Sequence, residues 1–581
     1  MPFQLFRPNP CSPPSGRESR WWDRAAVLII GIGVALRVEA FLDRRPLWID
    51  ESRLALNVAA RGLLDLARPL ELDQAAPIPF LWASRTVVSV AGVNEFALRL
   101  VPLLAGVLLL VVLWRLARAV IGPPEALFVV TLASLSLLLV YYSSEFKQYL
   151  VDAAITVVVV AEGVRFLAAG ASRSWWRLGI VGVVAVVCSQ PAVFVLTGVV
   201  AALLADVEAR ARPSRLVAVL MTWAIVFGGL YLLSFGQTAR DPGLQRFWEA
   251  AYLRPGHDFG TRLDHAGHSL FVLPLPLTPE SPPVVGVAAV FLVGLTGLAS
   301  RAGRQVGLLV GVPYVAVAAA SMAGFYPIAY RLLLFLSPLT FLTIGGVVNL
   351  AGRGIGPRRR DLVLAGLCGA PFVLAAGPLA FYLIDPGPRW NLRSVIASLP
   401  PEGTVYVAAS ALPQWTFYTT DWRRPDEHRL ERVFALARYG GVAHENAPPR
   451  GRAVVCEGDQ LVLRHQGRVE LIGLPTGIEF RQYAGYTRDL PDAGWAENEA
   501  RRIRGTGDST IWVLIAHSEP HLIAQLLSRL EWTGGTIVEE RIQNPWPARS
   551  ARGIGYSERV AAYRVTFRKP PPADPCASAR L

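Results

Sequence analysis

The chain has 581 residues, of which 52% are hydrophobic and only 17% charged, and its mean hydropathy is +0.38. Soluble domains carry about a quarter charged residues, so this balance excludes a wholly water-soluble protein. The formal net charge of +13 does not mark a nucleic-acid binder. The excess sits in short Arg-rich loops between apolar runs, as on the cytoplasmic side of membrane proteins.

In chain order, the N-terminal stretch MPFQLFRPNPCSPPSGRESRWWDR is too long and Pro-rich for the basic segment of a signal peptide. The first apolar run is therefore expected to be a retained anchor. Eleven runs have the length and apolarity to cross a hydrocarbon core of about 30 Å. They are Ala25–Leu42, Ala97–Val120, Ala126–Tyr142, Leu150–Ala168, Trp176–Ser189, Ala192–Val207, Leu216–Phe235, Val284–Leu298, Val306–Met322, Ile328–Leu350 and Leu362–Ile384.

With the N-terminus inside, the arginine clusters fall on one side. They are Arg17/Arg20/Arg24, Arg115/Arg118, Arg173/Arg177, Arg210/Arg212/Arg215, Arg301/Arg304 and Arg353/Arg358/Arg359/Arg360. A twelfth span at Pro77–Val93 would reverse every later cluster. That stretch is therefore expected to be an interfacial helix, with Trp82 and Arg85 at headgroup level.

From Asp385 onward the composition shifts. TVYVAAS, STIWVLIAH and VAAYRVTFR read as strands, and SEPHLIAQLLSRLEWTG reads as an amphipathic helix between them. The organisation expected is a cytoplasmic tail (1–24), a transmembrane part (25–384) and an extracytoplasmic α/β domain (385–581). The fold class is a polytopic α-helical membrane protein with that domain appended. Five cysteines are scattered, with no CxxC pair, and no spacing rule joins Cys456 to Cys576.

The chemistry-bearing residues gather on the predicted outer face. RPLWIDESRLALNVAARG places Asp50 and Glu51 about eight residues beyond the first span. An interfacial carboxylate suits a general base; the plainer reading is that Asp50 caps a helix and Glu51 favours its dipole. LDQAAPIPFLW offers Gln74, YYSSEFKQYLVD offers Glu145, Lys147, Gln148 and Tyr149, and GFYPIAYRLLLFLSP offers Tyr326 and Arg331. Lysine occurs only at Lys147 and Lys569, so its use here is specific. A departing phosphate needs cations and an incoming hydroxyl needs a carboxylate. Lys147 and Arg331 suit the first need. Separately, GHDFGTRLDHAGHS puts His265 and His268 at i, i+3, a spacing that also fits a metal ligand pair, against the commoner reading of solvated loop residues.

These motifs, in this order, with FALRLVPLLAG and NLRSVIASLPPEGTVYV, resemble bacterial GT-C glycosyltransferases. Specifically they resemble the family 39-like branch related to protein O-mannosyltransferases and the lipid A aminoarabinose transferase. The resemblance covers about residues 20–384 and the start of the tail.

It implies a multi-pass enzyme of the bacterial cytoplasmic membrane. Such an enzyme moves a sugar from a polyprenyl-phosphate donor to an extracytoplasmic lipid, glycan or protein acceptor, usually with inversion. Asp50 stands at the position of the base or acceptor-orienting carboxylate, and Glu51 beside it. Gln74 replaces an acid ahead of a Pro pair; it is suited to bind acceptor and not to act as a base. Glu145, Tyr149 and Tyr326 are further acceptor-side candidates. No cofactor is required, although some relatives use a divalent metal.

Two other classes compete. A transporter or flippase is expected to carry ionisable residues or broken helices at mid-membrane, whereas Arg37, Glu39, Glu162 and Arg165 read as lying toward helix ends. A non-catalytic assembly protein would not need the intact DE pair.

Overall fold

The computed structural model describes residues 16–232, 236, 245, 248–269, 284–384, 392–442, 462–473, 495–543 and 559–567, except 255, 257, 354, 356, 466 and 519. Cys11, Cys456, Cys576, His257 and residues 270–283 lie outside these residues.

Four helices open the chain: α1 (Gly16–Leu42), α2 (Ile49–Ala60), α3 (Ile78–Ala91) and α4 (Glu95–Ile121). At 14 residues, α3 is about 21 Å long, too short to cross a bilayer. That length fits the interfacial expectation for this stretch. Its Arg85 has a second task besides the one expected. It donates to the Val58 and Ala59 carbonyls (3.1 and 2.8 Å) and so closes the C-terminal end of α2, where carbonyls lack helical partners.

The expected span Ala126–Tyr142 is two helices, α5 (Pro123–Leu135) and α6 (Leu137–Ser143), bent by 56°. Neither Pro nor Gly stands at the break. Ser136 does, with its side chain accepting from the Leu139 N–H. The break frees carbonyls of the preceding turn, and Arg37 of α1 meets them. Its guanidinium is fully buried and donates to the carbonyls of Ala133 (3.0 Å), Ser134 (3.3 Å) and Gly33 (2.8 Å). Arg37, toward the C-terminal end of α1 as expected, is thus a buried fastening between α1 and the α5–α6 bend.

Helix α7 (Tyr149–Ala168) follows a short loop. Among the described residues five helices are long and apolar enough to cross a membrane. They are Trp21–Leu42, Glu95–Ile121, Pro213–Leu230, Arg304–Met322 and Leu334–Ala351, with the bent pair as a sixth. Against the eleven expected spans, the rest fall on shorter apolar helices such as Trp175–Cys188 and Ala192–Ala205. The remaining one is α7, whose Asp152, Glu162 and Arg165 interrupt its apolar run. The helix Val284–Ala302 crosses Ser337–Ala351 at small residues. A Cβ at Gly294 would strike the Thr343 carbonyl oxygen, and one at Gly297 the Gly346 carbonyl oxygen. Backbones approach that closely only where side chains are absent.

The C-terminal part holds a six-stranded mixed sheet: β1 (Gly403–Val407), β2 (Val462–His465), β3 (Arg468–Ile472), β4 (Thr510–Ser518), β5 (Gly535–Gln543) and β6 (Arg559–Phe567). Their order is β2-β3-β1-β4-β6-β5. The pairs β1–β3 and β1–β4 are parallel, and the outer pairs antiparallel. The central strands read as near-continuous apolar runs because both faces are covered. Trp415, Val433 and Leu392 pack on one face, and Ile503, Leu526 and Leu530 on the other.

Replacing Arg37 with Met is expected to leave those carbonyls unpaired at about 1–3 kcal/mol each. The thermal unfolding midpoint of the detergent-solubilised variant should fall clearly below that of the parent. An unchanged midpoint would remove the fastening role.

Candidate active site

The Asp-Glu pair begins α2, and the two carboxylates face different surroundings. Glu51 is 2% exposed and its acceptor positions are taken. Arg99 of α4 grips both oxygens (2.9 and 2.7 Å), the Phe146 N–H donates to Oε1 (2.6 Å), and the Trp48 N–H donates to Oε2 (3.3 Å). The helix-capping role that the plain reading assigned to Asp50 therefore belongs to Glu51. Its oxygens are committed to holding three segments together, which departs from the expectation that Glu51 shares in the chemistry.

Asp50 is turned elsewhere. Its side chain keeps 18% exposure, and Oδ2 accepts from Arg331 Nη1 at 2.9 Å. Burial alone would raise its pKa, but Lys147, Arg331 and Arg53 together hold it below the ordinary carboxylate value. Arg331 lies in the turn just ahead of the helical segment Leu334–Ala351, not inside a span starting at Ile328. Its guanidinium stands over the rings of Trp48 (5.8 Å) and Trp248 (5.0 Å), at the separation of cation–π contacts.

Lys147 is buried, and burial followed by the Arg331 charge lowers its pKa against the opposing pull of Asp50 and the glutamates. Its ammonium donates to Gln74 Oε1 at 2.7 Å. Gln74 in turn donates back to the Leu72 carbonyl (3.1 Å). Leu72 and Asp73 both have positive φ, 65° and 54°, a conformation costing about 1–3 kcal/mol per non-glycine residue. The strained turn thus presents the Gln74 carbonyl to Lys147, and Gln74 is first a partner of that lysine.

Glu145 is also buried. Burial and the nearby Glu51 charge push its pKa up to about 7, eased by Tyr141, Arg45 and Arg331. Burial thus favours the neutral form of this carboxyl. Tyr149 stacks edge-on against Tyr142 (5.4 Å). The Tyr326 hydroxyl donates to the Leu332 carbonyl (2.8 Å) and so holds the backbone beside Arg331.

The structure thus gathers Asp50, Lys147 and Arg331, with Gln74 on Lys147, Glu145 nearby and Tyr326 behind Arg331. Sequence reasoning passed over Arg99, Arg53, Trp48 and Trp248. Arg99 stands in the FALRLV run, where an arginine at a helix start looks like an ordinary interfacial residue.

The expected metal pair is not joined by a third ligand. His265 lies on the exposed side of the helix Phe259–Gly267, its Nδ1 3.3 Å from the Thr261 carbonyl. Among the described residues no three His, Cys, Asp or Glu come together as a metal would require. The described residues do not fit a resident metal.

Residues 75–233 match the family model described as dolichyl-phosphate-mannose-protein mannosyltransferase. The match takes in Glu145, Lys147 and Tyr149, and stops short of Asp50 and Arg331.

No curated protein matches it in sequence. Among solved structures it is similar to ArnT from Cupriavidus metallidurans, solved bound to undecaprenyl phosphate and in the apo state. The first of these is 14% identical over 92% of this chain and 97% of that one, with a TM-score of 0.46. The second is 15% identical over 94% and 98%, also at 0.46. The archaeal oligosaccharyltransferase AglB from Archaeoglobus fulgidus, solved with an inhibitory peptide and a dolichol-phosphate, is 11% identical over 70% and 64%, at 0.39.

The two carboxylates should separate by measurement. Glu51→Gln strands the buried Arg99 charge and is expected to cost about 3–5 kcal/mol, read as a lowered thermal midpoint. Asp50→Asn, at a partly exposed pair, should shift the midpoint far less. Equal shifts would contradict this division of roles.

Proposed function

We propose that this chain is a membrane glycosyltransferase that moves a sugar from a polyprenyl-phosphate donor to an extracytoplasmic acceptor. The observation that carries the reading is the Asp50–Arg331 ion pair with Lys147 beside it. A carboxylate paired with one cation, with a second cation near enough to act on its charge, is what an inverting displacement from a phosphate uses. The prenol-phosphate sugar in the family model's description supports the donor class.

In this reading residues 25–384 form the catalytic membrane part. The N-terminus is cytoplasmic, and residues from 385 onward form an extracytoplasmic α/β domain. The donor phosphate is bound by Lys147 and Arg331, and Glu51 keeps α2 in place through Arg99. The acceptor hydroxyl attacks the anomeric carbon from the face opposite the phosphate. As the new C–O bond forms, the bond to the phosphate oxygen breaks, the hydroxyl proton passes to Asp50, and polyprenyl phosphate departs with the electron pair. Glu145, mostly neutral below pH 7, is suited to donate a hydrogen bond to the acceptor or sugar without adding charge.

A base held below the ordinary carboxylate pKa is ionised but weak. Donor binding remedies this. A phosphate facing Lys147 and Arg331 satisfies the cations that depress Asp50, so its pKa rises in the complex and it takes a proton more readily.

Asp50→Asn is expected to lower transfer by about 10²- to 10⁴-fold. Membranes would be supplied with radiolabelled polyprenyl-phosphate sugars, with envelope extract as acceptor. A folded Asp50→Asn protein with parental activity would sink the assignment. No transfer from any donor by the folded parent would favour a transporter or a non-catalytic assembly protein instead.

The pH profiles give a second test. Asp50 must be ionised to act, so activity falls as pH drops through its pKa. The acid limb of kcat, reporting the complex, should lie at higher pH than that of kcat/KM, reporting the free enzyme. Coincident limbs, or the reverse order, would rule out activation by the donor.

A further inference from the structure

The backbone just ahead of Asp50 is irregular, and its polar groups need partners from elsewhere. Leu47, three residues before Asp50, is fully buried. Both its backbone groups are taken by one distant helix, Leu412–Thr419. The Leu47 N–H donates to the Tyr418 hydroxyl oxygen (2.7 Å), and Gln414 Nε2 donates to the Leu47 carbonyl (2.6 Å). Gln414 and Tyr418 stand four residues apart, on one face of that helix.

Tyr418 then donates to Glu95 Oε1 at 3.3 Å. Glu95, the first residue of α4, also receives Arg393 (2.7 Å) and Arg44 (3.3 Å). One turn further along α4 stands Arg99, which grips Glu51. Phe417, Leu430 and Phe434 already pack with Leu54, Phe80 and Phe146 in one apolar cluster. Docking therefore has its own apolar contacts. The polar pair adds bonds to both backbone groups of one residue in the loop that carries Asp50.

We propose that Gln414 and Tyr418 are positioning residues that hold the Asp50 loop in register, making the C-terminal part a component of the active site. The inference rests on the reading of Asp50 as base. It explains why the loop before α2 can stay irregular: its backbone groups are held from outside the membrane part. Gln74 also holds Lys147, and Tyr326 braces the backbone beside Arg331, so loss of this contact should misalign the base more than it weakens phosphate binding.

The test uses full-length Tyr418→Phe and Gln414→Leu proteins, with three readouts. Transfer kcat is expected to fall by about 10- to 100-fold, the scale of a small misplacement of a catalytic group. The Kd for undecraprenyl phosphate, the probe used, should stay within about twofold of the parent value. Amide hydrogen exchange should quicken over residues 45–52 and not in α7. Unchanged kcat with unchanged exchange would overturn the proposal, and so would a parallel loss of phosphate binding, kcat and thermal midpoint. If Asp50→Asn keeps parental activity, the reading of Asp50 fails, while exchange over 45–52 still decides whether the C-terminal part holds the loop.

Discussion

The buried pair between Glu51 and Arg99 is the constraint on which the outer face depends. Arg99 is fixed to α4, Glu51 to α2, and the Phe146 N–H brings in the loop that carries Lys147. A paired charge in such a place is costly to desolvate and contributes little net stability. Its worth lies in registry: four donors converge on one carboxylate, so three segments far apart in sequence have one mutual arrangement. Asp50, the next residue, is left out of that commitment and can face Arg331.

This division of labour between neighbouring carboxylates follows from helix geometry. Successive residues of a helix point about 100° apart, so Asp50 and Glu51 at the start of α2 cannot share an environment. One turns inward to α4, and the other toward the cations. The two tasks, holding and reacting, are thereby assigned to adjacent positions without competing for the same hydrogen bonds.

Much of this was legible from residue type and side. Lys147 stood out because lysine is otherwise nearly absent, and Arg331 because it follows an apolar turn on the predicted outer face. Three strand readings, TVYVAAS, STIWVLIAH and VAAYRVTFR, coincide with β1, β4 and β6. What escaped depends on contacts across long stretches of chain. Arg99 reads as an interfacial arginine until α4 is packed beneath α2. Gln414 and Tyr418 lie over 360 residues from Leu47 and carry no motif. The bend at Ser136 has neither Pro nor Gly to announce it, and its stabiliser, Arg37, is on another helix.

The Arg37 fastening bears on how the chain is made. Its carbonyl partners lie 96 and 97 residues further along, so α1 emerges from the ribosome well before they exist. A charged arginine within a span is costly to insert, and until α5 arrives the Gly33 carbonyl of its own helix is the partner Arg37 has at hand. The first helix therefore enters the bilayer provisionally, with Arg37 reaching for water or headgroups. It settles only when the α5–α6 bend closes over it. The first segment inserted is thus locked only when the third arrives.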